Sequence, residues 1–306
     1  MNEINEKENV NQAIELNKDE ILNIINGLSV NSNITFTGGE VFLKKGIDEI
    51  LKQATANHNV TIASNGALLG TYAELIVKSG IQSLSISIDG PAEIHEKIRN
   101  QKDLYNRIKS SLIKLNKFKE KNSTSLPYVN FNTVILKDNF KFLPEIIADV
   151  KELGGNSCSF QILDPSLNRS GLSLSDSIDL DPISIPDDEK IDPVVLKEYL
   201  KSLIKKATNE QIKISFIPSL NIDEIALYYQ GRFNVNNWKC SLPWTTTRIS
   251  PYGDVYPCLN FYIGNVKTDN LNNLWNHYRY IQFRNQIKKA GIFNSCVGCC
   301  KMVPKS

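Results

Sequence analysis

NITFTGGE, residues 33–40, is a β-rich run that stops at two glycines and a carboxylate. Ile34, Thr35 and Phe36 suit an extended, half-buried backbone, and the glycines end it. The same form recurs twice. VTIASNG (60–66) reads as a strand ended by Asn65-Gly66, and LSISIDG (84–90) as a strand ended by Asp89-Gly90. Helical spacing fills the gaps: Leu43, Ile47, Ile50, Leu51 and Ala54 recur on one face, and a second helix falls near 70–79.

Outward from there the chain keeps alternating. Ahead of the first strand, Asn17 caps a helix, Glu20 completes a capping box, and Leu16 with Ile21 makes a hydrophobic staple. Behind the third strand, Leu104, Ile108, Leu112 and Leu115 mark a longer helix, and residues 128–136 a strand. Pro144 sits in the first turn of a helix whose apolar face is Ile146, Ile147, Val150 and Leu153. Another strand follows near 157–163. Repeated β-α units of this length predict parallel strands joined by right-handed crossovers, in a barrel or a doubly wound sheet. Either arrangement collects chemistry at the carboxyl ends of the strands. Gly38-Gly39-Glu40, Asn65-Gly66, Asp89-Gly90 and Asn132 all fall at or near such ends.

Residues 164–192 break the rhythm. Rich in Ser, Asp and Pro, they read as a long loop, either a solvated connector or a lid. Leu196, Tyr199, Leu200, Leu203, Ile204 and Ala207 then share a helix face, residues 212–217 suit one more strand, and Pro218 is a hinge. Beyond it lie Cys240, Cys258, Cys296 and Cys299. Gly253 stands at the fifth position before Cys258, and Cys296-Val-Gly-Cys299 is a C-x-x-C turn. Two sulfurs on one tight turn and two from a second segment can fill a zinc site or hold an iron–sulfur cluster. Cys300 is an alternative ligand or a spare, and Cys158, alone in a strand, reads as a packing residue.

Composition bounds the partners. The 306 residues carry 35 basic and 33 acidic side chains, a net charge of +2, which leaves no electrostatic footprint for nucleic acid or an acidic membrane. No apolar run approaches the ~20 residues that span a bilayer, and the first residues, MNEINEKENVNQ, hold no signal-peptide core. The expectation is a cytoplasmic protein whose cysteines bind metal rather than form disulfides.

Thr37-Gly38-Gly39-Glu40 after one strand, Ser87-Ile-Asp89-Gly90 after another, and the downstream thiols make the sequence resemble the radical S-adenosylmethionine (SAM) proteins. Its C-terminal part resembles the SPASM or twitch module of that superfamily, which carries an auxiliary [4Fe–4S] cluster. The likeness runs from about Leu16 to Val303. It implies an α/β fold: a polar N-terminal segment over 1–16, a partial (β/α)6 TIM-like barrel over 17–218, and a small cysteine-rich module over 219–306. It also implies roles. Gly38 and Gly39 let backbone approach the methionyl end of SAM, and Glu40 meets its ammonium group. Ser87 and Asp89 contact ribose hydroxyls, with Asn132 and the strand end near Gln161 as weaker matches for sugar and adenine. Cys240, Cys258, Cys296 and Cys299 hold the auxiliary cluster. Val41 stands where the family usually has proline.

Asp89, His95 and Arg99 are spaced as in cluster-bearing relatives. His95 and Arg99, four apart, line a substrate cavity in one reading; in the other, Arg99 closes a local ion pair with Asp89 or Glu96. His58 and His277 have no partner motif and read as surface or packing residues. Trp238, Trp244 and Trp275 brace the small module, with Trp244 able to face substrate instead.

In this family a 5′-deoxyadenosyl radical, made at a [4Fe–4S] cluster with one open iron, takes hydrogen from a peptide or small-molecule substrate. Three thiolates in C-x-x-x-C-x-x-C hold that cluster, on a loop ahead of the first helix. The sixteen residues before Asn17 hold no cysteine. The expected barrel therefore lacks its first strand and cluster loop, exposes a sheet edge, and does not cleave SAM by itself. A fragment of a longer enzyme, a degenerate paralogue that binds a partner or peptide, and a subunit completed by a partner chain all meet that expectation. The non-enzymatic alternative is a binding module in which an iron–sulfur cluster or zinc serves folding alone.

Overall fold

The structure is a computed structural model that describes residues 14–165, 184–258 and 261–305. The first elements are α1 (Lys18–Asn26), β1 (Asn33–Phe36), α2 (Ile47–Asn57), β2 (Asn59–Ser64), α3 (Leu69–Lys78) and β3 (Ser83–Ser87). Next come α4 (Ala92–Arg99), α5 (Leu104–Lys121), β4 (Tyr128–Ile135), α6 (Leu143–Glu152) and β5 (Ser157–Ile162). Then follow α7 (Pro193–Asn209), β6 (Lys213–Ile217) and α8 (Ile222–Tyr229). The remainder is finer-grained: β7 (Trp238–Cys240), α9 (Leu242–Thr245), β8 (Arg248–Ile249), β9 (Asp254–Tyr256) and β10 (Gly264–Asn265). It ends with α10 (Leu271–Trp275), α11 (Tyr278–Ala290) and β11 (Met302–Pro304).

The first six strands form one parallel sheet in the order β1-β2-β3-β4-β5-β6. A doubly wound sheet reverses its strand order at a switch point; here the order never reverses. Right-handed crossovers then put every helix on the same side, which is the path of a barrel wall. Burial alternates accordingly. Val129, Phe131, Thr133 and Ile135 of β4 are buried, while Asn130, Asn132 and Val134 between them are half-buried. The buried set joins Ile62, Leu84, Ile86, Cys158 and Phe160 in one core with Leu51, Ile76, Ile108, Leu112, Ile147 and Leu200 from the helices. The other face is polar, and register aligns it in rows: Ser85 beside Asn130 beside Ser157, and Ser87 beside Asn132 beside Ser159 beside Ser215.

Local signals act as the sequence predicts. Asn17 Oδ1 accepts from Glu20 N at 3.0 Å and Glu20 Oε2 accepts from Asn17 N at 2.7 Å, closing the capping box of α1. A second capping box, Asn221 with Glu224, starts α8. The exposed sheet edge that the sequence predicts corresponds to β1, which among the described residues pairs with β2 alone.

The long loop is anchored at its end. Ile185 and Ile191 are buried in the main core and Glu189 Oε2 accepts from Lys137 N at 3.0 Å, so 184–192 is a connector with most residues exposed that two isoleucines anchor to the core. The rest of the predicted loop, 166–183, lies outside the described residues, as do residues 1–13 of the predicted polar N-terminal segment. Of that segment, Leu16 is buried and donates its N–H to Pro251 O at 2.7 Å, and Glu15 pairs with Lys44 at 3.0 Å.

The core runs across residue 218. Leu220, Ile225, Tyr228, Tyr229, Trp238 and Met302 belong to the barrel core, and β7 pairs antiparallel with β11 beside it. A second apolar cluster holds Val255, Phe261, Ile263, Leu274, Tyr280, Phe283, Ile287 and Phe293, framed by the antiparallel sheet β8-β9-β10. Among the described residues no helix is long and apolar enough to cross a membrane.

Candidate functional site

At the carboxyl end of β1, Gly38 has φ +147°, a conformation open to glycine and strained for other residues. A Cβ built on Gly38 or Gly39 would meet nothing within 4 Å, so backbone here borders open space. Glu40 follows, and β2 fixes its carboxylate. Ser64 Oγ donates to Glu40 Oε2 at 2.9 Å and lies 3.1 Å from Oε1; Asn65 N donates to Oε2 at 3.2 Å. Phe42 N adds a bond to Oε1 at 3.3 Å. The Ser64 hydroxyl in turn accepts from Gly66 N at 3.0 Å. The result is a half-buried carboxylate held at the mouth of the sheet by three donors, with one lone-pair direction on Oε1 left for a cation. No sequence spacing announces the Ser64 contact, because it bridges two strands.

Ser87 and Asn132 are register partners, and Ser159 and Ser215 continue their row. Asn130 Oδ1, one row deeper, accepts from Ser157 Oγ at 2.7 Å and Ser159 Oγ at 3.2 Å, and Ser159 and Ser215 hydroxyls meet at 3.1 Å. Gln161 pairs with Val134 and Ile217 one step nearer the mouth.

Asp89 is buried where β3 ends. Arg99 Nε donates to its Oδ2 at 2.6 Å, so of the two readings of Arg99 the ion pair with Asp89 is the one present. Burial pushes the Asp89 carboxyl up, but its contact with His95 and the Arg99 guanidinium outweigh that and hold it below the ordinary carboxylate range. His95 is fully buried, its Nδ1 accepting from Asp89 N at 3.2 Å. Nε2 has no hydrogen-bond partner among the described residues. His95 and Arg99 thus share one face of α4, and that face is turned to Asp89. His277 caps α11, and His58 is buried at the end of α2.

The thiols gather at the border of the two apolar clusters. Cys240 ends β7, opposite Met302 of β11, and donates its N–H to Gly291 O at 3.0 Å. Cys258 follows β9, its carbonyl accepting from Phe261 N at 3.2 Å. Cys296 and Cys299 close one turn through Cys299 N to Cys296 O at 3.0 Å. Cys240, Cys258 and Cys296 all line the second apolar cluster, while Cys296 and Cys299 also touch the barrel core. Burial pushes the Cys240 thiol up and the Cys296 thiol up to about 12, and the charge of Cys258 raises both further. The adjacent Cys299 and Cys300 thiols act on each other: that contact and burial raise Cys299, and the same contact lowers Cys300. Buried, mutually close thiols such as Cys240 and Cys296 disfavour bare thiolates, and a cationic metal core would offset that, while Lys301 and Arg248 lie near Cys300. Among the described residues no three potential ligands already stand in the geometry of a bound metal ion. The donors converge on one region and are all sulfur, which fits an iron–sulfur cluster in kind.

Two family models match this chain: the radical SAM superfamily over residues 4–150, and the SPASM iron–sulfur cluster-binding domain over residues 240–300. The chain belongs to the radical SAM superfamily. Solved structures agree in fold. anSMEcpe with bound AdoMet and Kp18Cys peptide superposes with a TM-score of 0.59 at 16% identity, covering 89% of this chain and 73% of that one. Streptococcus suis SuiB bound to precursor peptide SuiA gives 0.60 at 14% identity, covering 82% of this chain and 56% of that one. Among curated relatives, a probable GTP 3′,8-cyclase of Methanocaldococcus jannaschii is 23% identical over 198 residues, 64% of this chain and 62% of the relative. The chain spans less than two thirds of the length of the curated relatives it matches.

One residue of this radical SAM chain that no sequence signal marks is Arg284. Arg284 holds the second cluster together: its guanidinium lies 4.0 Å from the Tyr280 ring centroid and 4.3 Å from that of Trp275. It also donates to Pro243 O and Trp275 O at 2.9 Å each. Trp238 is buried in the barrel core, whereas Trp244 is 43% exposed. Cys158 is fully buried beneath the sheet, which raises its thiol.

Proposed function

We infer that this chain supplies the SAM-binding face and the auxiliary cluster site of a radical SAM protein that acts in the cytoplasm on a peptide. One observation carries the reading. The C-x-x-C turn lies at the carboxyl end of β5, where a Cβ built on Gly298 would stand 3.2 Å from Leu163 O, so the cysteine site is on the same end of the sheet as Glu40 and Ser87. Bound at that end, SAM would supply a 5′-deoxyadenosyl radical if a reduced cluster gave it an electron. Glu40 holds the SAM ammonium, and the Ser64 and Asn65 bonds keep its carboxylate in place. Ser87 and Asn132 offer a hydroxyl and an amide to the sugar. Asp89, buried and committed to Arg99, orients α4 and is closed off from a ribose in this structure. Cys240, Cys258, Cys296 and Cys299 hold the auxiliary cluster, with Cys300 beside it.

Reconstitution under anaerobic conditions tests the metal site: about four irons per chain, with matching sulfide and a cluster EPR signal, are expected. One zinc per chain overturns the cluster. Equilibrium dialysis with SAM tests the sheet end, where Glu40→Ala is expected to weaken binding about tenfold or more, the scale of a charge-assisted contact. Equal binding by the variant removes Glu40 from that role.

A second reading rests on the cysteine count. The first cysteine of the 306 residues is Cys158, and no C-x-x-x-C-x-x-C occurs among them. In that reading the chain binds its cluster and a peptide without cleaving SAM. Release of 5′-deoxyadenosine by the reconstituted chain with SAM and reductant refutes it; none is expected from these residues alone.

A further inference from the structure

Gly298 lies inside the C-x-x-C turn with φ +88°. A Cβ built there would stand 2.4 Å from the Tyr228 hydroxyl oxygen, 3.2 Å from Leu163 O and 3.2 Å from Pro165 Cδ. The turn is therefore inserted between α8 and the end of β5, with room for no side chain. On the other side of this contact, Tyr228 and Tyr229 are both buried and both reach β-strand ends. Tyr228 donates its hydroxyl to Leu163 O. Tyr229 accepts from Leu163 N at 3.1 Å and donates to Ile135 O at 2.5 Å. Between them the consecutive tyrosines satisfy both backbone groups of Leu163, the residue that follows β5. Buried backbone groups need such partners.

From Tyr228 an aromatic column continues to the second ligand segment. The Tyr228 ring meets Phe233 at 6.0 Å between centroids, and Phe233 meets Trp238 at 5.8 Å. Trp238 opens β7, whose last residue is Cys240. The turn that carries Cys296 and Cys299 and the strand that carries Cys240 are thus both referenced to one point, the Tyr228 side chain at the barrel mouth.

We propose that Tyr228 and Gly298 are positioning residues of the cysteine site, keying the C-x-x-C turn onto the carboxyl end of β5 so that the barrel, and not the small module by itself, completes the cluster site. The iron readout of this inference rests on the cluster reading above; the contact itself does not.

Four full-length proteins test it: the parent, Gly298→Ala, Tyr228→Phe and the double variant. After anaerobic reconstitution, iron retained against a chelator is expected to fall about tenfold in Gly298→Ala, the scale for groups that support metal ligands. Tyr228→Phe, which keeps the ring and deletes the oxygen, is expected to retain most of its iron. The double variant is expected to recover most of the Gly298→Ala loss, because the atom that the new methyl would strike is gone. Parent-like retention by Gly298→Ala overturns the proposal. So does a double variant no better than Gly298→Ala, since backbone strain at φ +88° would then account for the loss. If the parent takes up no iron, the cluster reading fails, and thermal unfolding of the four apo-proteins still decides the keying. Recovery of the midpoint in the double variant supports it, and additive losses refute it.

Discussion

At the scale of single residues, the mouth of the sheet is built from carboxylates whose partners come from neighbouring elements. Ser64 fixes Glu40, so Ser64→Ala is expected to weaken SAM binding several-fold and to cost about 1–2 kcal/mol, because Gly66 N loses its acceptor as well. Denaturant unfolding and SAM dialysis on the same variant separate the two effects. Asp89 makes a second, pH-dependent case. Its folded-state carboxyl lies below the ordinary range, so its contribution is present above the unfolded value of about 3.9 and is lost as pH falls through the lower, folded value. The parent's unfolding midpoint is expected to drop on acidification from about pH 5 to 3, and Asp89→Asn to flatten that drop. At neutral pH the same variant strands Arg99, at a cost of about 2 kcal/mol given the water that reaches the guanidinium. An unchanged acid limb would show that Asp89 is no contributor.

Elements are positioned by caps and by a few special backbone angles. Asn221 accepts from Asp223 N and Glu224 N at 2.9 Å each and starts the helix that ends in Tyr228 and Tyr229. Asn221→Ala is expected to cost about 1 kcal/mol in global unfolding, the usual worth of an N-cap. Hydrogen exchange at Leu163 N should also speed up, because Tyr229 is its partner. Gly38→Ala separates angle from space: φ is +147°, yet a Cβ there meets nothing within 4 Å. A loss of about 1 kcal/mol is expected from strain alone; an unchanged midpoint would mean that the glycine turn relaxes freely. The strands, their glycine endings and the capped first helix were legible in the sequence, because period-two burial and turn residues are local signals. α11 was not. Tyr280, Phe283 and Ile287 do recur at helical spacing, but polar neighbours dilute the pattern, and the face becomes visible once the second apolar cluster is known.

At the scale of the molecule, the sheet edge at β1 and the cysteine site set the predictions. Among the described residues β1 pairs on one side only, and Thr35 is exposed along it. Unpaired strand edges invite pairing with another chain. Concentration-dependent self-association is expected in sedimentation experiments, reduced by Thr35→Lys; a parent that stays monomeric at high concentration contradicts it. The cysteine site joins the barrel core to the second apolar cluster, so removing its metal with a chelator is expected to lower the unfolding midpoint by loosening both.

Sequence by itself determined the alternation of strands and helices, the glycine turns after β1, β2 and β3, and the kinship carried by Gly38-Gly39-Glu40, Ser87-Ile-Asp89-Gly90 and the cysteines. These are local patterns, or spacings within one segment, and the chain states them directly. Tertiary structure decided the rest. The strand order selects a barrel-type path over a doubly wound one, Arg99 spends itself on Asp89, and the end of the long loop packs against the core. The joint between Tyr228 and Gly298 brings together residues far apart along the chain, and neither has a periodic or motif context that points to the other. Contacts of that kind exist only after the backbone has folded and the groups left over must find partners.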